Sequence, residues 1–138
     1  MRYFDASALA KRYVREKGSV KVRRLLSSDL AATSRYSAVE IASALARRTR
    51  EGAISPDDRD RAMAALQTDL SAMLIVELTA EVVIRAQALL QRHLLRAGDA
   101  VQLASCLRLR EELEDDVSLV AFDERLVAAA RKERIALV

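Results

Sequence analysis

The sequence has one cysteine, one proline, three glycines and no tryptophan. Cys106 has no second cysteine to pair with, so no internal disulfide can form and a reducing cytoplasm is the expected compartment. So little proline and glycine excludes a linker-rich or low-complexity chain and predicts short loops. No apolar run approaches the roughly 20 residues of a membrane span, and the amino terminus lacks a secretory signal. We expect no membrane association.

The length and the composition favour one folded domain. The chain has 138 residues, of which 51% are hydrophobic, and we expect a single domain over 1–138. A domain of this size buries roughly two-thirds of its unfolded surface, which is enough for a core without disulfides. The net charge of +3 permits a nucleic-acid partner. On charge alone, an ordinary surface slightly rich in arginine is the better explanation.

Strand-like and helix-like segments alternate along the chain. Strands are predicted at "RYF" (2–4), "LAATS" (30–34), "MLIVEL" (73–78), "VSLVAF" (117–122) and "IALV" (135–138). Helices are predicted over 7–16, 19–27, 36–51, 56–70, 80–95, 98–113 and 124–133, with Ser55 and Thr79 as N-caps. This alternation predicts an α/β domain with a largely parallel sheet.

Two packing expectations follow from apolar spacing. The helix over 36–51 is expected to turn Val39, Ala42, Leu45 and Ala46 toward the core. The continuous apolar run "MLIVEL" is typical of a strand that is covered on both faces.

Four carboxylates occupy positions that a parallel sheet brings together. Asp5 follows the first strand, Asp123 follows the fourth, and Glu40 is expected in the first turn of the helix after the second strand. Parallel strands end at one edge of the sheet, and ligands of open α/β sheets bind there. Asp99 begins the helix over 98–113, and it joins the other three if that helix also starts at this edge.

Taken singly, each of these acids has a structural explanation. Asp and Glu are favoured near helix N-termini, and Asp99 with Gln102 resembles a capping box. The apolar neighbours of Asp5, Phe4 and Ala6, indicate instead a partly buried carboxylate. A buried carboxylate needs a partner to stay ionised, and no lysine or arginine pattern pairs with all four acids. A divalent cation would relieve their repulsion.

The donor types decide which cation is expected. Ligation by carboxylate oxygens alone suits Mg²⁺ or Mn²⁺, whereas zinc prefers histidine or cysteine. The single histidine, His93, is expected near a helix C-terminus as a surface residue or one favoured by the helix dipole. Cys106 shares a helical face with Leu103 and is expected to be a small core residue.

Four short stretches in order carry a resemblance to a known family. They are "YFDASAL" (3–9), "SAVEIASAL" (37–45), "LRAGDAVQLASC" (95–106) and "LVAFDERL" (119–126). At these residues the sequence resembles the PIN domain, and specifically the VapC-type toxins of bacterial type II toxin–antitoxin pairs. The resemblance implies a three-layer α/β/α fold around a mostly parallel sheet of about five short strands.

The resemblance also implies an activity and a set of site residues. Family members are Mg²⁺-dependent endoribonucleases, with Mn²⁺ as a substitute, that hydrolyse RNA phosphodiesters with a metal-activated water. Asp5, Glu40, Asp99 and Asp123 match the acidic quartet, which is expected to bind the metal. Asp5 and Asp99 are expected to bind it directly, Glu40 directly or through water, and Asp123 through a second ion or a bound water. Ser7 matches a small hydroxyl residue that supports the site.

One position departs from the pattern of the family. The last motif often reads T-x-D, and here it reads "AFD", with Ala121 in place of the hydroxyl residue. The change bears on the hydrogen bonds around Asp123. Glu124 could compensate, but a charge in the first turn of the next helix is the preferred interpretation.

An acidic pocket that takes RNA should have a basic rim. Arg35, Arg96, Lys11 and Arg12 are the candidates, although each taken alone is better explained as a solvated surface residue. The family further implies a homodimer and a cognate antitoxin that lies along an apolar groove, for which helices within 7–27 are candidates. The alternative function is a non-catalytic PIN-like module that binds RNA or protein.

Overall fold

Five short strands and seven helices follow one another in the computed structural model, which describes all of residues 1–138. The elements are β1 (Arg2–Phe4), α1 (Ala6–Ala10), α2 (Ser19–Ser28), β2 (Ala31–Ser34), α3 (Arg35–Arg50), α4 (Pro56–Ala72), β3 (Leu74–Val76), α5 (Ala80–Arg92), α6 (Ala97–Leu113), β4 (Ser118–Val120), α7 (Glu124–Lys132) and β5 (Ala136–Leu137). None of the helices combines the length and apolar character that crossing a membrane requires.

The strands form one sheet in the order β3-β2-β1-β4-β5, and every neighbouring pair is parallel. The prediction of an α/β fold with about five strands is confirmed, and the sheet is parallel throughout. Since the strands share one direction, their carboxyl ends lie along one border, which we call the carboxyl edge.

Helices cover both faces of the sheet, so the predicted three-layer α/β/α architecture is confirmed. Side chains alternate along a strand: Tyr3 enters a core of 18 buried residues with α5, α6 and α7, and Phe4 enters a core of 12 with α1 to α4. The helices that connect β1 to β2 and β2 to β3 lie on one face, and those that connect β3 to β4 and β4 to β5 lie on the other. The strand order therefore reverses between β1 and β4, and open α/β sheets form ligand crevices at such a reversal.

The N-caps of two helices are confirmed. Ser55 accepts a hydrogen bond from the backbone N–H of Asp58, and Thr79 accepts one from that of Val82. Each side-chain oxygen pairs with an N–H that has no partner within its own helix.

Three expectations about local structure are wrong. The helix predicted over 7–16 ends at Ala10 and continues as turns. Val39 is 63% exposed, because Ile41 and Leu45, four residues apart, form the buried side of α3. The run "MLIVEL" contains an edge strand, with Leu74 38% exposed, rather than a strand covered on both faces.

Candidate active site

Asp5 is the most deeply buried of the candidate carboxylates, with 2% of its surface exposed. It follows β1 directly and caps α1: Oδ1 accepts a hydrogen bond from Ala8 N at 2.9 Å. Its Oδ2 accepts a second one from Ser7 Oγ at 2.8 Å. Asp5 is therefore both a helix cap and a wall of the pocket described below, and Ser7 orients its carboxylate.

Burial perturbs the ionisation of Asp5. Loss of hydration raises the pKa of its carboxyl to about 6, and the charge of Asp99 pushes it in the same direction. The hydrogen bonds from Ser7 and Ala8 lower the pKa and offset part of the rise. No cationic side chain contributes to this balance, so Asp5 is a buried carboxylate without a counter-ion.

Glu40 reaches the pocket from the second turn of α3, one turn later than predicted, because α3 begins at Arg35. Gln102 Nε2 donates to its Oε2 at 2.7 Å. Burial raises the pKa of Glu40, the Gln102 bond lowers it, the charge of Asp99 raises it and Arg96 lowers it. The carboxylate lies against Gly98 of α6, where a Cβ atom would overlap Glu40 Oε1.

Gln102 connects the two helical layers behind the pocket, a role that the sequence analysis missed. Its Oε1 accepts from Tyr3 Oη at 2.8 Å, and its Nε2 also donates to Ser37 Oγ at 3.0 Å. The Ser37 hydroxyl is 2.7 Å from Thr33 Oγ1, which donates to the Phe4 carbonyl. This buried network links β1, β2, α3 and α6. Its only sequence signal was a glutamine on an otherwise apolar helical face.

Asp99 lies in the first turn of α6, but the capping-box interpretation with Gln102 is wrong. The N-cap of α6 is Arg96, and Gln102 is buried in the network just described. Arg96 Nε is 3.2 Å from Asp99 Oδ2, and its Nη2 is 3.8 Å from Asp123 Oδ2. Since these two carboxylates and Glu40 surround it, the pKa of Arg96 is raised. Arg96 supplies the positive charge among the acids.

Asp123 caps α7 at the carboxyl edge, on the far side of Arg96. Its Oδ1 accepts from Arg125 N and Leu126 N, both at 3.0 Å. These bonds orient the carboxylate of Asp123, although Ala121 stands where the family motif often has a hydroxyl residue. Glu124 is an exposed residue in the first turn of α7, which agrees with the preferred interpretation of it as a helix charge.

The pocket, which we call the acidic cavity, has a volume of about 280 Å³. Residues of three elements line it, among them Asp5, Ser7, Glu40, Arg96, Asp99 and Gln102. Asp123 adjoins it through Arg96. The structure thus brings three of the four predicted acids to one cavity and places the fourth beside it.

The other predicted basic residues are spread around the carboxyl edge or away from it. Arg35 pairs with exposed Glu77, with Nη2 2.6 Å from Oε1. Lys11 lies near the ring of Phe122, 4.8 Å from its centroid. Arg12 is not brought to the acidic cavity: it pairs with Asp69 and lines a different cavity beside the start of β2, at the opposite edge of the sheet.

The two residues considered for zinc have other environments. His93 is the C-cap of α5, at a helix C-terminus as expected, but only 7% of its side chain is exposed and its Nε2 is 2.6 Å from Glu133 Oε1. Cys106 is fully buried, and burial raises the pKa of its thiol to about 12. The prediction of Cys106 as a core residue is confirmed.

The donors of the acidic cavity fit Mg²⁺ in chemical type. They are carboxylate oxygens, and buried Asp5 lacks the cation that its charge requires. As the side chains stand, no three acidic, histidine or cysteine residues are arranged to hold a metal ion.

Comparisons with known proteins agree with this architecture. "Ribonuclease VapC45" of Mycobacterium tuberculosis is 34% identical over 129 residues, which cover 93% of this chain and 88% of the relative. The crystal structure of VapC20 of the same species, described as a Sarcin-Ricin loop cleaving toxin, superposes with a TM-score of 0.70 at 21% identity, over 94% of this chain and 95% of that one. A toxin–antitoxin complex from Klebsiella pneumoniae gives a TM-score of 0.67 at 17% identity, over 93% and 91%.

The match to a family model covers most of the fold. The PIN domain model matches residues 2–132, from the start of β1 to the end of α7. The matched span includes all four acids of the motifs. With this match and a relative at 34% identity, the chain belongs to the PIN domain family and resembles its VapC members.

Proposed function

We propose that this protein is a Mg²⁺-dependent endoribonuclease, the toxin of a toxin–antitoxin pair. The observation that carries the proposal is the meeting of Asp5, Glu40 and Asp99, from three separate elements, at one cavity in which the most buried carboxylate has no counter-ion. A 34% identical relative named a ribonuclease supports RNA as the substrate.

Each residue of the proposed site has a separate role. When bound, Mg²⁺ would neutralise charge on the scissile phosphate and polarise a water. Asp5 and Asp99 are the proposed direct ligands, Glu40 binds directly or through water, and Asp123 holds a second ion or a bound water. Ser7 fixes the carboxylate of Asp5 through its 2.8 Å hydrogen bond. Mn²⁺, which has the same preference for oxygen ligands, would substitute.

Arg96 is the residue best placed to meet the phosphate. Its guanidinium already lies between two carboxylates at the mouth of the cavity, and its side chain is 74% exposed. An arginine that releases a carboxylate for a phosphodiester keeps a charge-assisted hydrogen bond throughout. Arg35 and Lys11 lie further out along the carboxyl edge, where they would attract RNA. Arg12 lies at the opposite edge of the sheet and is too distant for this role.

A groove beside the acidic cavity supports the antitoxin as a partner. It has a volume of about 380 Å³ between α1 and α3, shares Ser7, Tyr36 and Glu40 with the cavity, and is lined further out by exposed Val39. A segment bound along it would reach the carboxylates directly. A homodimer and a reducing cytoplasm remain part of the proposal. Analytical ultracentrifugation of the free chain tests the dimer.

The decisive experiment is an RNA cleavage assay with protein purified free of any antitoxin. Cleavage is expected with Mg²⁺, and it should stop in EDTA and in the Asp5→Asn variant. Asp116→Asn, at an exposed acid away from the cavity, should cleave like the wild type. Full activity of Asp5→Asn would refute the role of the carboxylate.

The second candidate is a non-catalytic PIN-like module that binds RNA or protein. It is favoured by one observation: the acids are not arranged for a metal, and Arg96 pairs with two of them. Calorimetric titration with Mn²⁺ separates the two functions. A nuclease should bind the ion in a way that Asp5→Asn abolishes, whereas the binding module should show no carboxylate-dependent heat.

A further inference from the structure

An exposed aromatic ring lies directly beside the proposed active site. Phe122 is 39% exposed and immediately precedes Asp123 in the loop after β4. The backbone of this loop starts next to Asp5, because Asp5 N donates to Val120 O at 3.2 Å. The ring and the acidic cavity therefore belong to the same edge of the sheet. Neither core of the fold includes this ring.

Two lysines from other elements converge on this ring. Lys11 Nζ is 4.8 Å from the ring centroid, and Lys21 Nζ is 5.9 Å from it. Both distances lie within the range of cation–π attraction. Lys11 follows α1 and Lys21 belongs to α2, so separate parts of the chain bring positive charge to one aromatic side chain. We call Phe122, Lys11 and Lys21 the aromatic–lysine cluster.

The connection between α1 and α2 holds the ring in place. Gly18 has a φ of +95°, and a Cβ atom there would lie 3.0 Å from Phe122 Cε1 and 3.1 Å from Lys11 Cδ. A side chain at this position would therefore be strained by its backbone and would also push the ring outward. Gly18 allows close packing on one side, and the exposed part of the ring remains open to solvent.

Basic side chains beside the ring outnumber the side-chain carboxylates that pair with them. Lys11 pairs with Glu16 at 3.1 Å, but Glu16 also pairs with Arg48 at 2.6 Å, so one acid is shared by two bases. Lys21 donates to a main-chain oxygen of Val138, the last residue of the sequence, at 3.0 Å, and it pairs with no side-chain carboxylate. An anionic ligand with a flat apolar part matches this combination of ring and ammonium groups.

We propose that the aromatic–lysine cluster is a nucleotide-binding subsite, in which an unpaired RNA base stacks on Phe122 and the adjacent phosphate binds Lys11 and Lys21. Sequence-tolerant recognition of single-stranded RNA uses this pairing of aromatic faces with basic side chains. The subsite rests on the proposed ribonuclease function and extends it. It would hold the strand on one side of Asp123, while Arg96 contacts the phosphate on the other.

The absence of tryptophan in the chain gives a direct binding test. Phe122→Trp places a single fluorophore in the subsite, and single-stranded RNA added in EDTA should quench its emission by stacking. Ile84→Trp is the matched control, because Ile84 is 65% exposed on α5 and belongs neither to the acidic cavity nor to the aromatic–lysine cluster. Quenching at position 122 alone supports the subsite. Equal quenching at both positions, or none at 122 while anisotropy of labelled RNA shows binding, overturns it.

Kinetics on intact protein give a second test. Phe122→Leu should raise KM for single-stranded RNA roughly 5- to 150-fold, the range of one lost stacking contact, with kcat little changed. Phe122→Tyr should restore KM, since its ring also stacks. An unchanged KM in Phe122→Leu refutes the subsite while leaving the nuclease proposal intact. A wild type without cleavage refutes the nuclease itself.

A protein partner is the competing occupant of this surface. If Phe122→Leu leaves RNA binding unchanged but weakens capture of a co-expressed antitoxin, the cluster is a protein contact and the proposal fails. Lys21→Gln adds a check on the phosphate contact. The number of counterions released on RNA binding, read from the salt dependence of the affinity, should fall by about one.

Discussion

Replacement of Asp5 by asparagine should stabilise the metal-free protein at neutral pH while abolishing its activity. The carboxylate is buried and has no cationic partner, so its charge opposes folding. Asparagine keeps the shape and is a good N-cap: its Oδ1 can accept from Ala8 N, and its amide can donate to Ser7 Oγ. The variant therefore removes the charge and keeps the hydrogen bonds.

The size of the effect follows from the ionisation of Asp5. Folding raises its pKa from 3.8 to about 6, and this difference of about two pH units corresponds to about 3 kcal/mol. Below pH 4 the carboxyl is protonated in both the folded and the unfolded state, so it costs the wild type no stability. As the pH rises from about 4 to about 6 the unfolded state loses the proton first, and the wild type loses stability until the folded state has ionised too. The two proteins should have similar free energies of unfolding below pH 4. By pH 8 the variant should be more stable by up to about 3 kcal/mol.

Urea unfolding in EDTA at pH 4 and pH 8 measures this difference. Asp116→Asn, at an exposed carboxylate, should leave the stability nearly unchanged at both values. Addition of Mg²⁺ at pH 8 should stabilise the wild type and not Asp5→Asn, since a bound cation offsets the buried charge. If Asp5→Asn is no more stable than the wild type at pH 8, the account of Asp5 as an uncompensated carboxylate is wrong.

Three other changes test how the site is built. Gln102→Leu removes the buried amide of the network and should lower the free energy of unfolding by about 2–4 kcal/mol in urea titrations, because several polar groups lose their partner. Gly98→Ala should displace the carboxylate of Glu40 and reduce RNA cleavage, with little change in melting temperature, because only the flexible end of the Glu40 side chain has to move. Glu77→Gln releases Arg35 from its salt bridge, so filter binding should show tighter RNA binding at low salt, with the gain lost at high salt.

The sequence predicted the architecture well, because the alternation of elements leaves few topologies for a parallel sheet. Chain direction alone placed Asp5, Glu40 and Asp123 at the carboxyl edge, and the motifs added Asp99. Helix phase was harder to predict. Val39 resembled a core residue, but it is exposed and Ile41 is buried in its place, while Leu45 is buried as predicted.

Contacts between distant segments were beyond sequence reasoning. The bond from Gln102 to Glu40 spans 62 residues and depends on how α3 and α6 approach each other across the sheet. Arg12 is one residue from Lys11, yet the turns after α1 place its side chain against Asp69, away from the acidic cavity. No local pattern distinguishes these two basic residues, since their directions depend on tertiary packing.

The central claim is that the acidic cavity binds a divalent cation that RNA cleavage requires. The most direct test is the initial rate of RNA cleavage as Mg²⁺ is titrated into antitoxin-free, EDTA-stripped protein, with Asp5→Asn measured in parallel. The account predicts no cleavage without the ion, a saturating rise for the wild type and no cleavage by the variant at any Mg²⁺ concentration. Cleavage that persists in EDTA, or an Asp5→Asn curve that overlays the wild type, would contradict it.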